Sequence, residues 1–286
     1  MLNTAAEWIC GDRTLDLSMP VVMGILNVTP DSFSDGGRFA RRDAALAHAR
    51  RMIGEGAGII DVGGESTRPG ANPAGLDEEL ARVVPVIEAL RSESPVFVSV
   101  DTSKPEVMRA AVSAGADIIN DVRALAEPGA VAAAAATRAG VCLMHMLGEP
   151  RTMQDAPHYD DVVAEVSGFL AARIRACREA GIEPARIAID PGFGFGKNAV
   201  HNLTLLKQLA RFEALGAVLA VGLSRKSMLA KLTGRGVDDR TAGSVALAAI
   251  AVLNGARIVR AHDVAATVDA VRVAAAVRKG EQFDGT

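Results

Sequence analysis

The sequence predicts a single α/β domain folded as a closed (β/α)8 TIM barrel, and three observations support this fold class. Eight short apolar runs rich in β-branched residues alternate with longer segments of helical period along the chain. The length of 286 residues suits one such barrel. Aromatic residues make up only 3 %, so we expect a core of small aliphatic side chains, as in helices packed on a parallel sheet.

The expected strands are short runs of mainly apolar residues, and all but one carry a polar residue at or near the C-terminal end. They span residues 21–28, 58–62, 96–101, 117–121, 140–145, 186–190, 216–222 and 257–261. Parallel strands that are buried on both faces have this pattern. The runs therefore indicate one parallel sheet.

The segments between the strands carry apolar residues three or four positions apart, which is the spacing of an amphipathic helix. We expect helices near residues 41–56, 77–93, 105–114, 129–138, 160–180, 201–212, 239–254 and 264–278. Gly115, Gly140, Gly181 and Gly255 each follow a helical segment and precede a strand, as C-terminal caps do. The alternative is an open doubly wound sheet, but eight evenly spaced units without a break favour closure.

No low-complexity linker or block of charge divides the chain, so residues 1–286 are expected to form one domain with residues 1–18 as a short N-terminal extension. The segment 242–253 is apolar over more of its circumference than one barrel-facing stripe requires. Such a helix either forms a dimer seam or is covered by its neighbours.

Composition excludes several functional classes. The formal net charge is −3 and no basic stretch is interleaved with aromatic residues, which argues against a nucleic-acid partner. No apolar run approaches the roughly 20 residues of a membrane span, and the N-terminus lacks a signal-peptide pattern, so we expect a cytoplasmic protein. Cys10, Cys142 and Cys177 form no C-x-x-C pair, which favours buried thiols over disulfides or a zinc site.

Polar residues follow almost every expected strand. In a barrel of this type the C-terminal strand ends line one common mouth, where such residues converge. They are Asn27, Asp61, Asp101, Asn120 with Asp121, His145, Asp190, Ser224 to Ser227, and Arg260 with His262. Their coincidence at the strand ends predicts an active site there.

Some of these residues also have a purely structural interpretation. Asp101 and Asp121 could each cap a following helix. Asp61 could be a barrel-interior residue bonded to its neighbours, and His145 a packed interior histidine. Asp190 suits a cap less well, because Pro-Gly-Phe-Gly-Phe-Gly follows it, and the spacing of those glycines does not match a dinucleotide fingerprint.

Three further features indicate ligand chemistry. Lys226 lies in a Ser-Arg-Lys-Ser turn, where it could form a Schiff base with a carbonyl or donate hydrogen bonds to a ring. Arg260-Ala-His262 follows the eighth strand, where barrel enzymes commonly bind phosphate. The glycine-rich loop 63–70 carries a hydroxyl and a guanidinium and could close over a ligand.

Taken together, the motifs closely resemble bacterial dihydropteroate synthase, in order and over roughly residues 20 to 280. They are Asn27-Val-Thr-Pro-Asp-Ser-Phe-Ser-Asp35, Asp61-Val-Gly-Gly-Glu-Ser-Thr-Arg-Pro69, Val100-Asp101-Thr, Ile119-Asn120-Asp121, Met144-His-Met146, Asp190-Pro-Gly-Phe-Gly-Phe-Gly-Lys197, Ser224-Arg-Lys-Ser227 and Arg260-x-His262. The resemblance implies a homodimeric, monofunctional transferase of tetrahydrofolate biosynthesis. Such an enzyme condenses (7,8-dihydropterin-6-yl)methyl diphosphate with 4-aminobenzoate, giving 7,8-dihydropteroate and diphosphate, and is the sulfonamide target.

The same resemblance assigns roles to individual residues. Pterin and diphosphate binding falls to Thr67, Asp101, Asn120, Asp190, Lys226, Arg260 and His262, and 4-aminobenzoate binding to Thr67, Arg68, Pro69, Phe195 and Ser227. Asn27 would hold Mg²⁺, and the catalytic group would comprise Asp101, Lys226, Arg260, Asp31 and Asp35. The implied mechanism is SN1-like, and it favours hydrogen bonding by Lys226 over a Schiff base.

One departure and two rival functions accompany the resemblance. Leu147 stands where the family often has glutamine, in a loop that is not central to the chemistry. Pterin-dependent methyltransferase barrels share the fold, but they have no diphosphate for Arg260 and His262 to bind. A non-catalytic pterin-binding paralogue is expected to lose its loop residues, whereas both loops here match the motifs.

Overall fold

A closed barrel of parallel strands forms the body of the protein, seen in a computed structural model that describes residues 6–29, 38–66, 73–149 and 152–280. A two-stranded antiparallel hairpin of β1 (Glu7–Cys10) and β2 (Arg13–Asp16) precedes it. The barrel strands are β3 (Val21–Asn27), β4 (Ile59–Gly63), β5 (Phe97–Asp101), β6 (Ile118–Asp121), β7 (Gly140–Met144), β8 (Ile187–Asp190), β9 (Val218–Gly222) and β10 (Ile258–Ala261). Strand β10 pairs with β3 and closes the ring. The predicted (β/α)8 barrel is confirmed.

Helices follow the strands around the outside of the barrel. Within the described residues they are α1 (Arg38–Gly54), α2 (Leu76–Glu93), α3 (Pro105–Ser113), α4 (Ala130–Ala135), α5 (Val162–Glu179), α6 (Ala199–Lys207), α7 (Ser227–Thr233), α8 (Thr241–Leu253) and α9 (Val264–Lys279). Short 3-10 segments span Pro184–Arg186, Leu209–Leu215 and Val237–Asp239. Helix α7 has no counterpart among the sequence predictions. No helix in the described part of the chain is both long and apolar enough to cross a bilayer.

Strand register sets which side chains share a level inside the barrel. Asp61 on β4 pairs with Ile25 and Ser99 on its neighbours, and Asp101 on β5 pairs with Gly63 and Asn120 one level higher. Because side chains alternate along a strand, the residues between them face the helices and build an aliphatic outer core. The polar strand-end residues are therefore brought together by the register of the closed sheet.

The N-terminal hairpin fills the opposite end of the barrel, although no strand is expected there from the sequence. Trp8, Cys10 and Leu15 pack on inward-facing side chains of the barrel strands, and the Trp8 Nε1–H donates to the Arg186 carbonyl at 2.9 Å. A Cβ at Gly140 would lie 2.8 Å from Cys10 Sγ. Gly140 is the first residue of β7 and does not cap a helix, so that expectation is wrong; Gly140 admits the hairpin instead.

The other three predicted cap glycines do follow helices in the left-handed region. Gly115 has φ 110°, Gly181 88° and Gly255 106°. This conformation favours glycine because it has no Cβ. Each of these residues turns the chain from a helix toward the next strand.

Candidate active site

The mouth of the barrel gathers charged and amide side chains from five strands. Asp61, Asp101, Asn120 and Asp190 are all less than 10 % exposed, and Arg260 enters the same space from β10. These side chains lie at the C-terminal ends of the strands, which is where α/β barrels bind ligands.

Arg260 is the centre of a hydrogen-bonded array. Its Nε donates to Asp61 Oδ2 at 2.6 Å and its Nη2 to Asp101 Oδ2 at 2.8 Å, while Asn120 Nδ2 donates to the same Asp61 oxygen at 3.2 Å. Burial alone would lower the pKa of Arg260, but Asp61 and Asp101 outweigh it and raise the pKa above its ordinary value. The guanidinium therefore carries a fixed positive charge inside the mouth.

Asp101 is held between this charge and a buried environment. Burial raises its pKa to about 7, Arg260 opposes the rise, and the Asp61 carboxylate adds to it. The residue preceding helix α3 is Lys104, so the capping interpretation of Asp101 is wrong. Asp121 does not cap a helix either; it accepts hydrogen bonds from Arg123 and Leu125 N–H in the turn after β6.

Asp190 ends β8 and is oriented by the loop that follows. Its Oδ1 accepts from Gly192 N–H at 2.7 Å. Its Oδ2 lies close to Gly222 on the next strand, since a Cβ added to Gly222 would be 3.8 Å from it. A Cβ at Gly192, which has φ 71°, would lie 1.8 Å from the His145 carbonyl oxygen, so only glycine fits. Burial raises the pKa of Asp190, although the Gly192 N–H bond and the charge of Lys226 oppose it.

Lys226 and Phe195 form a mixed polar and aromatic wall of the mouth. The Lys226 Nζ lies 4.1 Å from the centroid of the Phe195 ring. Burial lowers the pKa of Lys226 to about 8, against the pull of Asp190. Phe195 packs in a cluster with Val122, Met144, Met146 and Met153. An apolar wall facing a few fixed polar groups suits a flat heterocyclic ligand.

A buried lysine and histidine support this wall from behind. Lys197 is 2 % exposed, and its Nζ donates to the carbonyls of Gly192 and Phe195 at 2.9 and 3.0 Å and lies 2.8 Å from His145 Nδ1. Burial lowers the pKa of Lys197 to about 7 and that of His145 to about 3. His145 is therefore neutral at physiological pH, and the interpretation as a packed interior histidine fits the structure.

The turn after β9 connects to the end of β10 through hydrogen bonds. His262 Nδ1 lies 3.0 Å from Ser224 Oγ. Arg225 adopts φ 57° and donates through both Nε and Nη2 to Asp263. Ser227 begins helix α7 and is exposed. Arg225 is thereby turned toward Asp263, while Lys226 faces Phe195.

Asn27 presents one amide oxygen at the barrel mouth. It ends β3, and a Cβ at Gly63 would lie 3.7 Å from Asn27 Oδ1 and 3.8 Å from Asp101 Oδ2. The described residues contain no group of three or more His, Cys, Asp or Glu side chains arranged around a metal. One amide oxygen suits Mg²⁺, which keeps several waters and takes phosphate oxygens as its other ligands. The donor set fits that ion.

Five predicted site residues, Asp31, Asp35, Thr67, Arg68 and Pro69, lie outside the described residues. The residues on either side of the 67–72 segment are described, and Glu65 connects them through hydrogen bonds. Glu65 accepts from Ala74 N–H at 2.9 Å and from Lys104 Nζ at 2.6 Å, and Lys104 also donates to the buried Glu79 at 2.5 Å.

The structure adds residues that the sequence predictions do not include. Val122, Met144 and Met153 line the apolar wall beside Phe195. The Met144-His-Met146 motif is a partial signal for them, since methionines at a strand end are adaptable lining residues. The pairing of Asp61 with Arg260 depends on strand register and side-chain direction, which the sequence does not reveal.

Comparison with known families gives one family match. The family described as "Pterin binding enzyme" matches residues 23–262. A dihydropteroate synthase of Escherichia coli (strain K12) is 55 % identical over 269 residues, which cover 94 % of this chain and 95 % of that protein.

Two solved structures agree with the fold over nearly the whole chain. The dihydropteroate synthase of Yersinia pestis in complex with a sulfonamide drug is 51 % identical, with a TM-score of 0.91 and coverage of 96 % of this chain and 99 % of that one. The dihydropteroate synthase of Xanthomonas albilineans in complex with 7,8-dihydropteroate is 52 % identical, with a TM-score of 0.87 and coverage of 95 % and 98 %.

Proposed function

The chain belongs to the dihydropteroate synthase family, and we propose that it condenses (7,8-dihydropterin-6-yl)methyl diphosphate with 4-aminobenzoate to give 7,8-dihydropteroate and diphosphate. The observation that carries this proposal is the array in which Arg260 bridges Asp61 and Asp101 beside Asn120 and Asp190. It presents buried carboxylates, an amide and a fixed positive charge in one mouth. These are the groups that a pterin bearing a diphosphate requires.

The pterin ring is recognised by its pattern of donors and acceptors. Its 2-amino group and adjacent ring N–H form a two-donor edge, which a carboxylate accepts as parallel hydrogen bonds. Asp190 takes this edge. Asp101 and Asn120 meet the remaining polar atoms of the ring, Lys226 donates to a ring oxygen or nitrogen, and the Phe195 cluster covers a ring face.

The reaction breaks the bond between the methylene carbon and the diphosphate oxygen, and the electron pair leaves with the diphosphate. The electron-rich ring stabilises positive charge on the methylene carbon, so departure can precede attack. The aniline nitrogen then forms the new C–N bond and releases a proton. Arg260 and His262, with Thr67, bind the departing diphosphate, and the fixed charge of Arg260 stabilises the negative charge that develops there.

Asn27 would hold Mg²⁺ together with oxygens of the diphosphate. When bound, the cation neutralises negative charge on the leaving group. The single side-chain oxygen at the end of β3, close to Asp101, supports a cation that binds with its substrate.

The second substrate binds toward the outer part of the mouth. Ser227, exposed at the start of α7, meets the 4-aminobenzoate carboxylate, and Phe195 packs against the ring. Thr67, Arg68 and Pro69 complete this pocket, and Asp31 and Asp35 act from the first loop. A sulfonamide would compete for the same pocket.

Two broader properties belong to the proposal. Ile250 and Leu253 on α8 and Val273 and Val277 on α9 are exposed aliphatic residues on adjacent helices, which supports a homodimer formed through this face. A cytoplasmic location is supported by three free, buried cysteine thiols, which suit a reducing compartment.

The test is mass-spectrometric detection of 7,8-dihydropteroate after mixing the purified protein with both substrates, with and without Mg²⁺. Metal-dependent product is the expected result. Pterin binding without product would favour the non-catalytic paralogue. Methyl transfer with no use of the diphosphate substrate would favour the methyltransferase hypothesis.

A further inference from the structure

Asp61 lies one level deeper in the barrel than Asp101, and its hydrogen bonds come from predicted site residues. It is fully buried on β4. Its Oδ2 accepts from Arg260 Nε and from Asn120 Nδ2, while its Oδ1 has no hydrogen-bond partner among the described residues. The donors to this carboxylate are thus Arg260 and Asn120.

We propose that Asp61 is a positioning residue for the condensation, which fixes Arg260 and Asn120 in the orientation in which they meet the pterin diphosphate. The inference rests on the proposed function of the mouth. Asp61 holds the Nε side of the guanidinium, while Nη2 donates to Asp101. The same oxygen holds the Asn120 amide group, which leaves the Asn120 carbonyl oxygen for a ring donor.

Stability alone does not explain a carboxylate at this position. Corresponding levels of barrels of this type are filled mainly by branched aliphatic side chains. Replacing a buried ion pair by well-packed apolar residues is often neutral or stabilising, so a buried carboxylate is weak evidence of a stabilising role. A carboxylate whose partners are the residues around the ligand is better explained by their orientation.

The central experiment is a double-mutant cycle of Asp61→Asn and Arg260→Ala. The Asp61→Asn change keeps the shape of the side chain and removes its charge. In the otherwise wild-type protein we expect kcat/KM for the pterin diphosphate to fall on the order of 10- to 100-fold, as is typical for a group that orients a binding residue. In the Arg260→Ala background the same change should cost less than about 3-fold, because of the two residues that Asp61 orients only Asn120 remains, through one hydrogen bond of 3.2 Å.

Two readouts separate positioning from loss of structure. The KM for 4-aminobenzoate, measured at saturating pterin diphosphate, should stay unchanged, since Asp61 contacts pterin-side residues. The control is Ser99→Ala at the same level of the adjacent strand, where the buried hydroxyl has no hydrogen-bond partner among the residues that the structure describes; it should leave all kinetic constants as they were. If Asp61→Asn does not fold, Asp61→Ser replaces it in the cycle. The smaller side chain leaves room for water, which can accept the hydrogen bonds of Arg260 and Asn120 in place of the carboxylate.

Three outcomes overturn the inference. The first is an unchanged kcat/KM for the pterin diphosphate in Asp61→Asn. The second is an equal fall in kcat/KM with Arg260 present and with Arg260→Ala. The third is a fall in kcat/KM that is the same for both substrates and that Ser99→Ala also shows. If the wild-type protein makes no product, the proposed function fails instead. The inference is then decided by calorimetric titration with the pterin diphosphate, where Asp61→Asn should weaken binding more in the wild-type background than in Arg260→Ala.

Discussion

The two ends of the barrel are built from the same eight strands, but their buried carboxylates differ in how many hydrogen-bond partners the protein supplies. At the hairpin end, Asp117 accepts from Val98 N–H at 2.8 Å, Arg91 Nη2 at 2.6 Å and Arg13 Nη1 at 3.1 Å. At the mouth, Asp61 Oδ1 has no hydrogen-bond partner in the described part of the chain, and burial raises the pKa of Asp101 and Asp190. The buried charge at the hairpin end has its partners supplied by the protein and stabilises the fold, whereas the buried carboxylates Asp101 and Asp190 at the mouth are available to a ligand.

The largest expected effect is the loss of pterin binding in Asp190→Asn. The variant replaces an acceptor by an amide whose N–H₂ would face the two-donor edge, so affinity should fall by more than about 1,000-fold. The free energy of unfolding of the ligand-free protein should not fall, because burial disfavours the charged form of Asp190. Isothermal titration calorimetry and urea unfolding measure the two quantities.

Asp117→Asn is the matched change at the other end. It should lower the free energy of unfolding and leave pterin affinity unchanged, because it weakens both arginine contacts far from the mouth. Unchanged pterin affinity in the Asp190 variant would remove Asp190 from the site.

The next largest effect is on stability, in Trp8→Ala. Removing this fully buried ring should lower the free energy of unfolding by about 3–4 kcal/mol, since the hairpin packing and the hydrogen bond to the Arg186 carbonyl are both lost. Kinetic constants at a temperature where the variant is folded should match the wild type. Trp8→Phe keeps most of the volume and should lose less than half as much. A folded but inactive Trp8→Ala protein would contradict the separation of the two ends.

A smaller effect is expected in the pH dependence of the reaction. The pKa of Lys226 is lowered to about 8, so its ammonium is charged below that pH and neutral above it. The kcat/KM for the pterin diphosphate should therefore decline above about pH 8. In Lys226→Arg the guanidinium stays charged, and the decline should move to higher pH. The control is Lys231→Arg on the exposed face of α7, and an identical alkaline limb in all three proteins would refute the assignment.

The smallest effect is expected for Arg13→Ala at the hairpin end. Arg13 is partly exposed and Asp117 keeps two other donors, so the free energy of unfolding should fall by only about 0.5–1 kcal/mol. Urea unfolding measures it, with the exposed Arg138→Ala as a control that should change nothing. A loss larger than that of Trp8→Ala would show that the hairpin depends on this ion pair more than on Trp8.

The barrel strands could be predicted to within one or two residues because each is a short run of mainly apolar residues between helical segments. The hairpin was not predicted, since β1 and β2 are only four residues each and partly polar. A signal was present: Gly11 and Asp12 form a two-residue turn between alternating segments. Helix α7 follows the Lys226 turn directly and is too short to show a helical period.

The candidate site was predictable in part for the same reason. Asp101, Asn120, Asp190 and Arg260 follow apolar runs, and closure of the barrel brings strand ends together. Whether Asp61 belonged to the interior or the site stayed open, because its pairing with Arg260 requires two distant strands to face one another across the barrel. The roles of the individual residues toward the substrates stay predictions.

The most direct test of the difference between the two ends is the rate of 7,8-dihydropteroate formation by Asp190→Asn and Trp8→Ala, at a temperature where both are folded by circular dichroism. We predict wild-type turnover for the Trp8 variant and no detectable product for the Asp190 variant. An active Asp190→Asn protein, or a folded Trp8→Ala protein without activity, would contradict the assignment of chemistry to the mouth and stability to the hairpin end.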